Sequence, residues 1–371
     1  MWFLFNKIGR IKHQVVITMF QAVLLTCIKR LSGERTASGI FHMLTGKRSS
    51  QTMQDVKGYR LEPFFGIYKS LSRKRFDETL QRLTQSGHIN ISDEGFPLLT
   101  LSGEDKEKQL RKSWIHFSGL KNHQLVMTFE KRLFLLIQTF TNMKASHRNF
   151  IPIVDEPIIQ NWVRGIYKTY QKNAEGFIDS IYEEMKSLLN ELPPEDAHIF
   201  VHRLTGSGII GLTMEQLAKE AGETKEDAYL RTQHVLHFLF TNAKREPKTY
   251  AALAVCAAGL DSSGMITDSA KRTFRYIEQG LSLKEVMEKR RLKESTIQDH
   301  IVEAALVLPH FSTEPFLTEA EKRVIIQKAE VLNTQRLKHI KESLQGKYSY
   351  FQIRLALAQY QHDKKEGMTH G

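Results

Sequence analysis

The sequence predicts a mainly α-helical protein with an N-terminal winged-helix-like unit that has one β-hairpin, a helical middle region and a C-terminal helix-turn-helix domain. Three observations lead to this class. Apolar residues recur at helical spacing along most of the 371 residues. One short alternating stretch near residue 90 is the main strand signal. The segment from Gly280 to Leu306 contains two short helical patterns that meet at Leu292.

The winged-helix-like basic unit is predicted over residues 19–104. Residues 19–44 are expected to form two helices separated at SGE, and a third helix follows Ser49 or Ser50, either of which can cap its first turn. A fourth helix is expected over residues 72–86. The alternating INI, the turn DEG and the return LLTL then predict a hairpin. Helices followed by a single hairpin have the order of a winged helix.

Residues 105–263 are predicted to form the helical middle region, because segments such as KRLFLLIQTF and FIDSIYEEMKSLLNEL are amphipathic. A second helix-turn-helix candidate lies near residues 211–240. Its sequence GLTMEQLAKEAG aligns with GLSLKEVMEKRR at an offset of 69 residues. Similar helical hairpins also arise by chance, so internal duplication and chance similarity both remain open.

The helix-turn-helix domain is predicted over residues 264–360, and a polar tail follows at 361–371. Ser282 and Glu285 have the spacing of a capping box at the start of the first short helix. Apolar residues from Ile297 onward recur at helical spacing in the second helix. These signals place basic residues at the joint between the two helices.

Residues 1–18 are interpreted as a leader or a mis-assigned start, because a start at Met19 would leave the rest intact. Cations follow the apolar opening MWFLF rather than precede it, which does not fit a secretory signal. No apolar run approaches the roughly 20 residues of a membrane helix. Cys27 and Cys256 lie in apolar surroundings and are expected to be buried thiols in a reducing compartment. A cytoplasmic location is therefore expected.

Positive charge is concentrated at the N-terminal end. The formal net charge is +12, and residues 1–82 contribute +10 of it, from 15 Lys and Arg against 5 Asp and Glu. Residues 264–308 have a net charge of only +1. Such an excess predicts a polyanionic partner, with nucleic acid favoured over a membrane surface. We therefore expect phosphate contacts mainly in the N-terminal unit.

Two basic stretches in this unit are candidates for DNA binding. The sequence GKR precedes a helix whose first amide groups can accept an anion, and SRKR begins a later helix. The glycine spacing does not fit a nucleotide-binding Walker loop. A solvated surface is the alternative, but the local charge favours DNA contact. The candidate residues are Lys47, Arg48, Ser49, Arg73, Lys74 and Arg75.

The C-terminal domain supplies a second set of candidates. In a DNA-bound trihelical unit, the second helix of the motif enters the major groove by its N-terminal residues. Glu294, Asp299 and Glu303 on that helix are expected to repel phosphate. Sequence-specific reading, structure-dependent contact and docking onto a protein all remain open. The candidate residues are Lys289, Arg290, Arg291, Lys293, Ser295, Thr296, Gln298 and His300.

No helicase motor motif and no hydrolase motif is present in the sequence. We therefore predict no enzymatic activity, no cofactor and no bound metal. His198 and His202 are four residues apart, but the metalloprotease pattern H-E-x-x-H is missing. They are interpreted as ordinary helix residues.

Two stretches resemble known proteins. GLSLKEVMEKRRLKESTIQDHIVEAAL, with the later KYSYFQIRLALA, resembles the helicase helix-turn-helix domain at the C-terminus of some RecQ-type DNA helicases. GERTASGIFHMLTGKRSSQTMQD, with the order of the later segments, resembles the YpbB family of Firmicutes over about residues 19–360. That family is RecQ-associated, so the resemblance implies a cytoplasmic DNA-binding or helicase-accessory protein. The residues before Met19 depart from the family pattern.

Together these observations predict a non-enzymatic DNA-binding accessory protein that acts with a RecQ-type helicase in DNA repair or recombination. The basic N-terminal unit would hold DNA, and the C-terminal unit would contact the helicase or a DNA junction. Two alternatives remain: a transcription regulator that reads operator DNA, and a helicase-docking scaffold without DNA affinity. No membrane partner is expected.

Overall fold

The computed structural model describes residues 18–110, 116–261, 266–308 and 311–367. Residues 1–17 of the predicted leader lie outside this part of the chain. The described residues form mainly helices, together with one two-stranded antiparallel hairpin. The prediction of a mainly α fold with one hairpin is therefore confirmed. No helix within the described ranges is long and apolar enough to cross a membrane.

The N-terminal segment has helices followed by the hairpin, as predicted. Gly33, between the first two helices, has a φ of +71°, and a Cβ there would lie 2.7 Å from Leu98 Cδ2, so the turn requires glycine. Ser49 caps the third helix by accepting a hydrogen bond from the Thr52 amide at 3.1 Å. The elements are α1 (Met19–Leu31), α2 (Ala37–Leu44), α3 (Ser50–Gly58), α4 (Arg73–Gln85), β1 (Ile89–Ile91) and β2 (Pro97–Leu99).

The hairpin is short and its tip is acidic. Ile89 pairs with Leu99 across the ladder, and Ile89 is the buried residue of β1. Asp93 and Glu94 at the tip are exposed. The Ala37 amide donates to the Gly95 carbonyl at 3.4 Å, so the tip lies against the start of α2.

The middle region is helical, and its core is centred on two long helices, α6 and α11. The rings of Phe129 in α6 and Phe240 in α11 meet edge to face, with centroids 5.4 Å apart. Pro157 and Pro194 stand at the first positions of α7 and α9, where a missing N–H costs nothing. The elements are α5 (Leu101–Leu110), α6 (Gly119–Lys144), α7 (Pro157–Tyr170), α8 (Ala174–Leu189), α9 (Pro194–His202), α10 (Met214–Ala221), α11 (Lys225–Arg245) and α12 (Ala251–Ala257).

The C-terminal segment contains the helix-turn-helix. Ser282 and Glu285 form the predicted capping box at the start of α14. The next helix begins at Glu294, because Lys293 has the extended backbone of an N-cap residue. The elements are α13 (Asp268–Glu278), α14 (Leu283–Arg290), α15 (Glu294–Val307), α16 (Glu319–Leu332), α17 (Leu337–Ser343) and α18 (Tyr350–Gly367).

The chain folds into two compact units, and each unit combines segments that are distant in sequence. The first unit takes in the described residues of Met1–Thr26, Ile67–Leu83 and Ser102–Ser262. The second takes in those of Cys27–Gly66, Thr84–Leu101 and Ser263–Gly371. It therefore joins α2, α3 and the hairpin to the C-terminal helices. The sequence boundaries after residues 104 and 263 stay a prediction.

Two buried carboxylates in the first unit are paired. The Asp196 carboxylate is 1% exposed, and it accepts hydrogen bonds from Arg231 at 2.5 Å and from His234 Nδ1 at 2.7 Å. Asp227 accepts a hydrogen bond from the Phe20 amide at 2.8 Å and so satisfies a donor in the first turn of α1. Such pairing offsets much of the cost of burying charge.

Both cysteines are buried thiols, as expected from their apolar surroundings. Burial raises the pKa of Cys27 and of Cys256 to about 12, against the weaker opposing effect of Arg30 and Arg132 respectively. Both therefore stay protonated near neutral pH.

Candidate nucleic-acid interface

A group of exposed cations lies on α4 and immediately before it. The carboxylates of Asp77 and Glu78 share the helix, but the group keeps an excess of positive charge. This is the densest exposed basic stretch of the described first unit. The group, called the α4 basic cluster below, comprises Lys69, Arg73, Lys74, Arg75 and Arg82.

Two members of the α4 basic cluster are paired on the surface. Arg73 Nε lies 2.9 Å from the Asp77 carboxylate, and the Arg73 and Asp77 side chains are 49% and 51% exposed. Arg75 lies 3.2 Å from Glu78 and 3.8 Å from Glu226. The Arg73–Asp77 and Arg75–Glu78 pairs lie at the surface and contribute little to stability, so phosphate can compete for both arginines, whereas Glu226 is largely buried.

The other members, Lys69, Lys74 and Arg82, form no ion pair with any residue in the described ranges. Lys69 and Arg82 were not among the residues that the sequence singled out. The seven-residue spacing from Arg75 to Arg82 places both on one side of α4, and this spacing could have identified Arg82 from the sequence.

The predicted anion site before α3 is only partly available. Lys47 is exposed. Arg48 is half-buried, and its Nη2 lies 3.5 Å from the Glu303 carboxylate of α15. Ser49 uses its hydroxyl to cap α3. Lys47 is thus the residue of this group that can meet a phosphate without losing a contact inside the protein.

The joint of the C-terminal helix-turn-helix presents three exposed cations. Lys289 lies over the Tyr276 ring at 5.6 Å, and Lys293 precedes the first turn of α15. Arg291 has a φ of +51°, in the left-handed region that favours glycine. Arg290 instead points inward, donating to the Ser269 carbonyl at 2.8 Å and to Thr273 Oγ1 at 2.7 Å.

The second helix of the motif, α15, is largely enclosed. It packs against α13, α18 and α3, and no residue from Thr296 to Val307 is fully exposed. Gln298 donates to Glu294 at 2.8 Å, and His300 shares a hydrogen bond of 2.8 Å with Thr273. Burial, and then the nearby Arg290 charge, lower the pKa of His300. Only the first turn, including Ser295, faces solvent.

Two of the three carboxylates expected to repel phosphate are used inside the protein. Asp299 accepts from Arg354 at 2.8 Å. Glu303 accepts from the Thr267 amide at 2.7 Å and from its hydroxyl at 2.9 Å, besides its pair with Arg48. Their negative charge is largely compensated. Of the three carboxylates expected to repel phosphate, Glu294 is therefore the main one that can do so.

The middle helix-turn-helix candidate has the predicted pattern of elements but does not expose its second helix. Helices α10 and α11 each begin with a capping box, and Gly222 between them has a φ of +66°. In the first turn of α11, Glu226 is 9% exposed and Asp227 is fully buried. The start of this helix therefore packs in the first unit and is not available to enter a groove of DNA.

The comparisons with known proteins agree with this architecture. Residues 14–113 match the RQC domain, and residues 269–357 match a helix-turn-helix domain. Together, the two matches indicate a chain that combines a RecQ C-terminal domain with a helicase-associated helix-turn-helix domain. Protein YpbB of Bacillus subtilis strain 168 is 29% identical over 345 residues, which cover 92% of this chain and 97% of that protein. The chain is a homologue of YpbB. No solved structure gives a significant match.

Proposed function

We propose that this protein is a non-enzymatic DNA-binding accessory of a RecQ-type helicase, acting in DNA repair or recombination. The observation that carries the proposal is the combination of an RQC match and a helix-turn-helix match in a chain whose sequence has no helicase motor motif. Such a chain would supply, as a separate protein, the domains that other helicases carry within their own chain. The proposal includes a cytoplasmic location.

The α4 basic cluster is the primary DNA contact in this proposal. If the N-terminal segment acts as a winged helix, α4 is the helix before the hairpin and corresponds to the recognition helix of a helix-turn-helix. Its exposed cations can each neutralise a backbone phosphate. The exposed acidic hairpin tip, with Asp93 and Glu94, would repel phosphate and so favours contact through α4.

The helix-turn-helix joint is a secondary contact. Lys289, Arg291 and Lys293 are exposed there, whereas the body of α15 is enclosed. Backbone contacts position a protein on DNA without reading its sequence, and sequence reading requires side chains at base edges. The enclosure of α15 therefore favours an accessory that recognises DNA structure over a regulator that reads an operator.

Fluorescence anisotropy with the full chain tests DNA binding. Duplex, forked and single-stranded oligonucleotides of equal length are titrated at low salt, and a selection from random duplexes is run in parallel. We expect binding to at least one of these forms without a selected consensus. Failure to bind any of them at low salt would favour the docking scaffold, and a strong consensus would favour the transcription regulator.

Co-purification from cells of the source organism tests the partner. The tagged chain should enrich a RecQ-type helicase over a tagged, unrelated control of similar charge, both before and after nuclease treatment. Loss of the enrichment after nuclease would mean that DNA alone bridges the two proteins. Absence of enrichment in either condition would remove the helicase from the proposal.

A further inference from the structure

Two histidines and one carboxylate from neighbouring helices converge on the surface of the first unit. His198 and His202 lie one turn apart on α9, and Glu220 lies on α10. One potential ligand atom from each lies within 4.8 Å of those of the other two. The His198 Nε2 to Glu220 Oε1 distance is 3.9 Å, which is too long for a hydrogen bond. Sequence spacing alone could not reveal the third member, because Glu220 comes from another helix.

The two helices are held together independently of this cluster. Ile199 of α9 packs with Leu217 and Ala218 of α10 in a small buried core. The Leu212 amide, just before α10, donates to the His202 carbonyl at 2.8 Å. The backbone positions of the cluster are therefore fixed by packing, and binding a metal would require the three side chains to rotate closer together. Ligand atoms that bind zinc at about 2.0–2.2 Å lie roughly 3.3 Å apart in a tetrahedral site.

The surroundings of the histidines suit ligation. His202 Nδ1 lies 2.8 Å from the His198 carbonyl, so in the neutral ring this nitrogen carries the proton and Nε2 carries the lone pair. A ligating histidine commonly makes such a bond through its other nitrogen. Neither nitrogen of His198 makes a hydrogen bond to a described residue.

We propose that His198, His202 and Glu220 bind one divalent transition-metal ion, Zn²⁺ foremost, and thereby tie α9 to α10. Two imidazoles and a carboxylate form a donor set that zinc accepts, and the remaining positions would be filled by water because Glu220 is exposed. Nickel and copper ions also favour imidazole, so they are expected to compete. The site lies apart from the α4 basic cluster in sequence and does not depend on DNA binding.

Metal titration of the full chain tests this site. After treatment with a chelator, the protein is titrated with Co²⁺, followed by its visible absorption bands, and with Zn²⁺ in a calorimeter. We expect a Zn²⁺ event of unit stoichiometry and a thermal midpoint that rises with Zn²⁺. His198→Ala and His202→Ala should each weaken this event at least about tenfold, since even partners of ligands often have effects of that size.

The controls use the same residue types outside the cluster. His147→Ala removes an exposed histidine, and Glu215→Gln removes an exposed carboxylate of α10 that pairs with Lys225. Both should bind Zn²⁺ like the parent. Glu220→Gln changes only an exposed side chain, and it should weaken binding without unfolding the protein. The proposal is overturned if the parent takes up no Zn²⁺, or if the variant lacking both His198 and His202 keeps the parental affinity and stoichiometry.

Discussion

Glu303 is a carboxylate whose role the sequence alone misreads. By its position on α15 it is expected to repel DNA, yet its oxygens accept hydrogen bonds from the Thr267 amide and hydroxyl and lie next to Arg48. These partners are distant in sequence, so no local pattern reveals them. The exposure of a side chain is likewise not visible in the local sequence. Lys47 and Arg48 are adjacent cations, but only Lys47 is fully exposed.

Replacing Glu303 should destabilise the protein. Glu303→Ala leaves the half-buried Thr267 amide and Arg48 without their carboxylate partner, and we expect a loss of about 2 kcal/mol in the free energy of unfolding. Glu294→Ala, on the same helix but exposed, should change it by no more than about 0.5 kcal/mol. Urea unfolding of both variants measures the difference. Equal stabilities would show that the contacts of Glu303 contribute nothing.

His237 should make the protein sensitive to acid. Burial, followed by the charges of His123 and His234, lowers its pKa from 6.5 to about 3. The unfolded chain binds a proton below about pH 6.5 while the folded chain does not, so this contribution to stability falls as the pH drops from about 6.5 towards 3. At pH 5, this effect lowers the free energy of unfolding by about 2 kcal/mol relative to neutral pH.

A neutral substitute isolates this contribution. His237→Gln should show a smaller loss of thermal midpoint between pH 7.5 and pH 5 than the parent protein, although its stability at pH 7.5 falls because the contact of His237 with Ser118 is altered. His147→Gln, at an exposed position, should keep the parental pH dependence. The assignment to His237 fails if both variants lose stability with acid as steeply as the parent.

Individual elements were largely predictable because their signals are local. The caps at Ser49 and Ser282, the glycine turns and the alternating INI specify starts and ends within a few residues. The two helical hairpins whose sequences align at an offset of 69 residues also share backbone features. The capping box at Thr213 corresponds to that at Ser282, and the left-handed Gly222 corresponds to the left-handed Arg291.

Arg291 should reveal a trade between stability and DNA binding. The left-handed backbone costs a residue with a side chain about 1 kcal/mol relative to glycine, which stands at the corresponding position of the other hairpin. Arg291→Gly should therefore raise the free energy of unfolding by about 1 kcal/mol. The same variant should lower the salt dependence of DNA binding by about 0.9 in the log–log slope, if Arg291 contacts a duplex phosphate. An unchanged slope would assign Arg291 to the turn alone.

The surroundings of α15 were not predictable from its own sequence. Its helical periodicity indicates one buried face, but α3, from the other end of the chain, covers another part of it. Amphipathic patterns predict that a face is buried and do not identify its partner. The candidate groove-reading residues Thr296, Gln298 and His300 are therefore half-buried, a result that needed the tertiary structure.

At the scale of the whole molecule, the second unit depends on both ends of the chain. Glu34 accepts from the Gln335 amide at 2.9 Å, and Gln335 donates to the Gly58 carbonyl at 3.1 Å. The guanidinium of Arg336 lies over the Phe96 ring at 4.5 Å. Parts of the N-terminal and C-terminal segments therefore belong to one compact unit.

A C-terminal fragment should therefore be less stable than the full chain. In residues 266–371 alone, α15 and α18 lose the helix α3 that covers them. We expect a lower thermal midpoint, a less cooperative transition and stronger binding of a dye for exposed apolar surface. A fragment that unfolds as cooperatively as the full chain, at the same temperature and without dye binding, would contradict the shared unit.

The distribution of charge determines where DNA is expected to bind. Matched triple variants of the full chain separate local contact from net charge: Lys69, Lys74 and Arg82 are changed to Ala in one variant, and Lys121, Lys168 and Lys172 in the other. All six lysines and arginines are exposed, and each variant loses the same charge.

The slope of log K against log salt concentration, measured on one duplex for the parent and both variants, tests the role of the α4 basic cluster most directly. Each lost phosphate contact should reduce the slope by about 0.9, and three contacts by about 2.7, in the α4 variant alone. Equal slopes for the two variants would contradict the assignment of DNA binding to the α4 basic cluster.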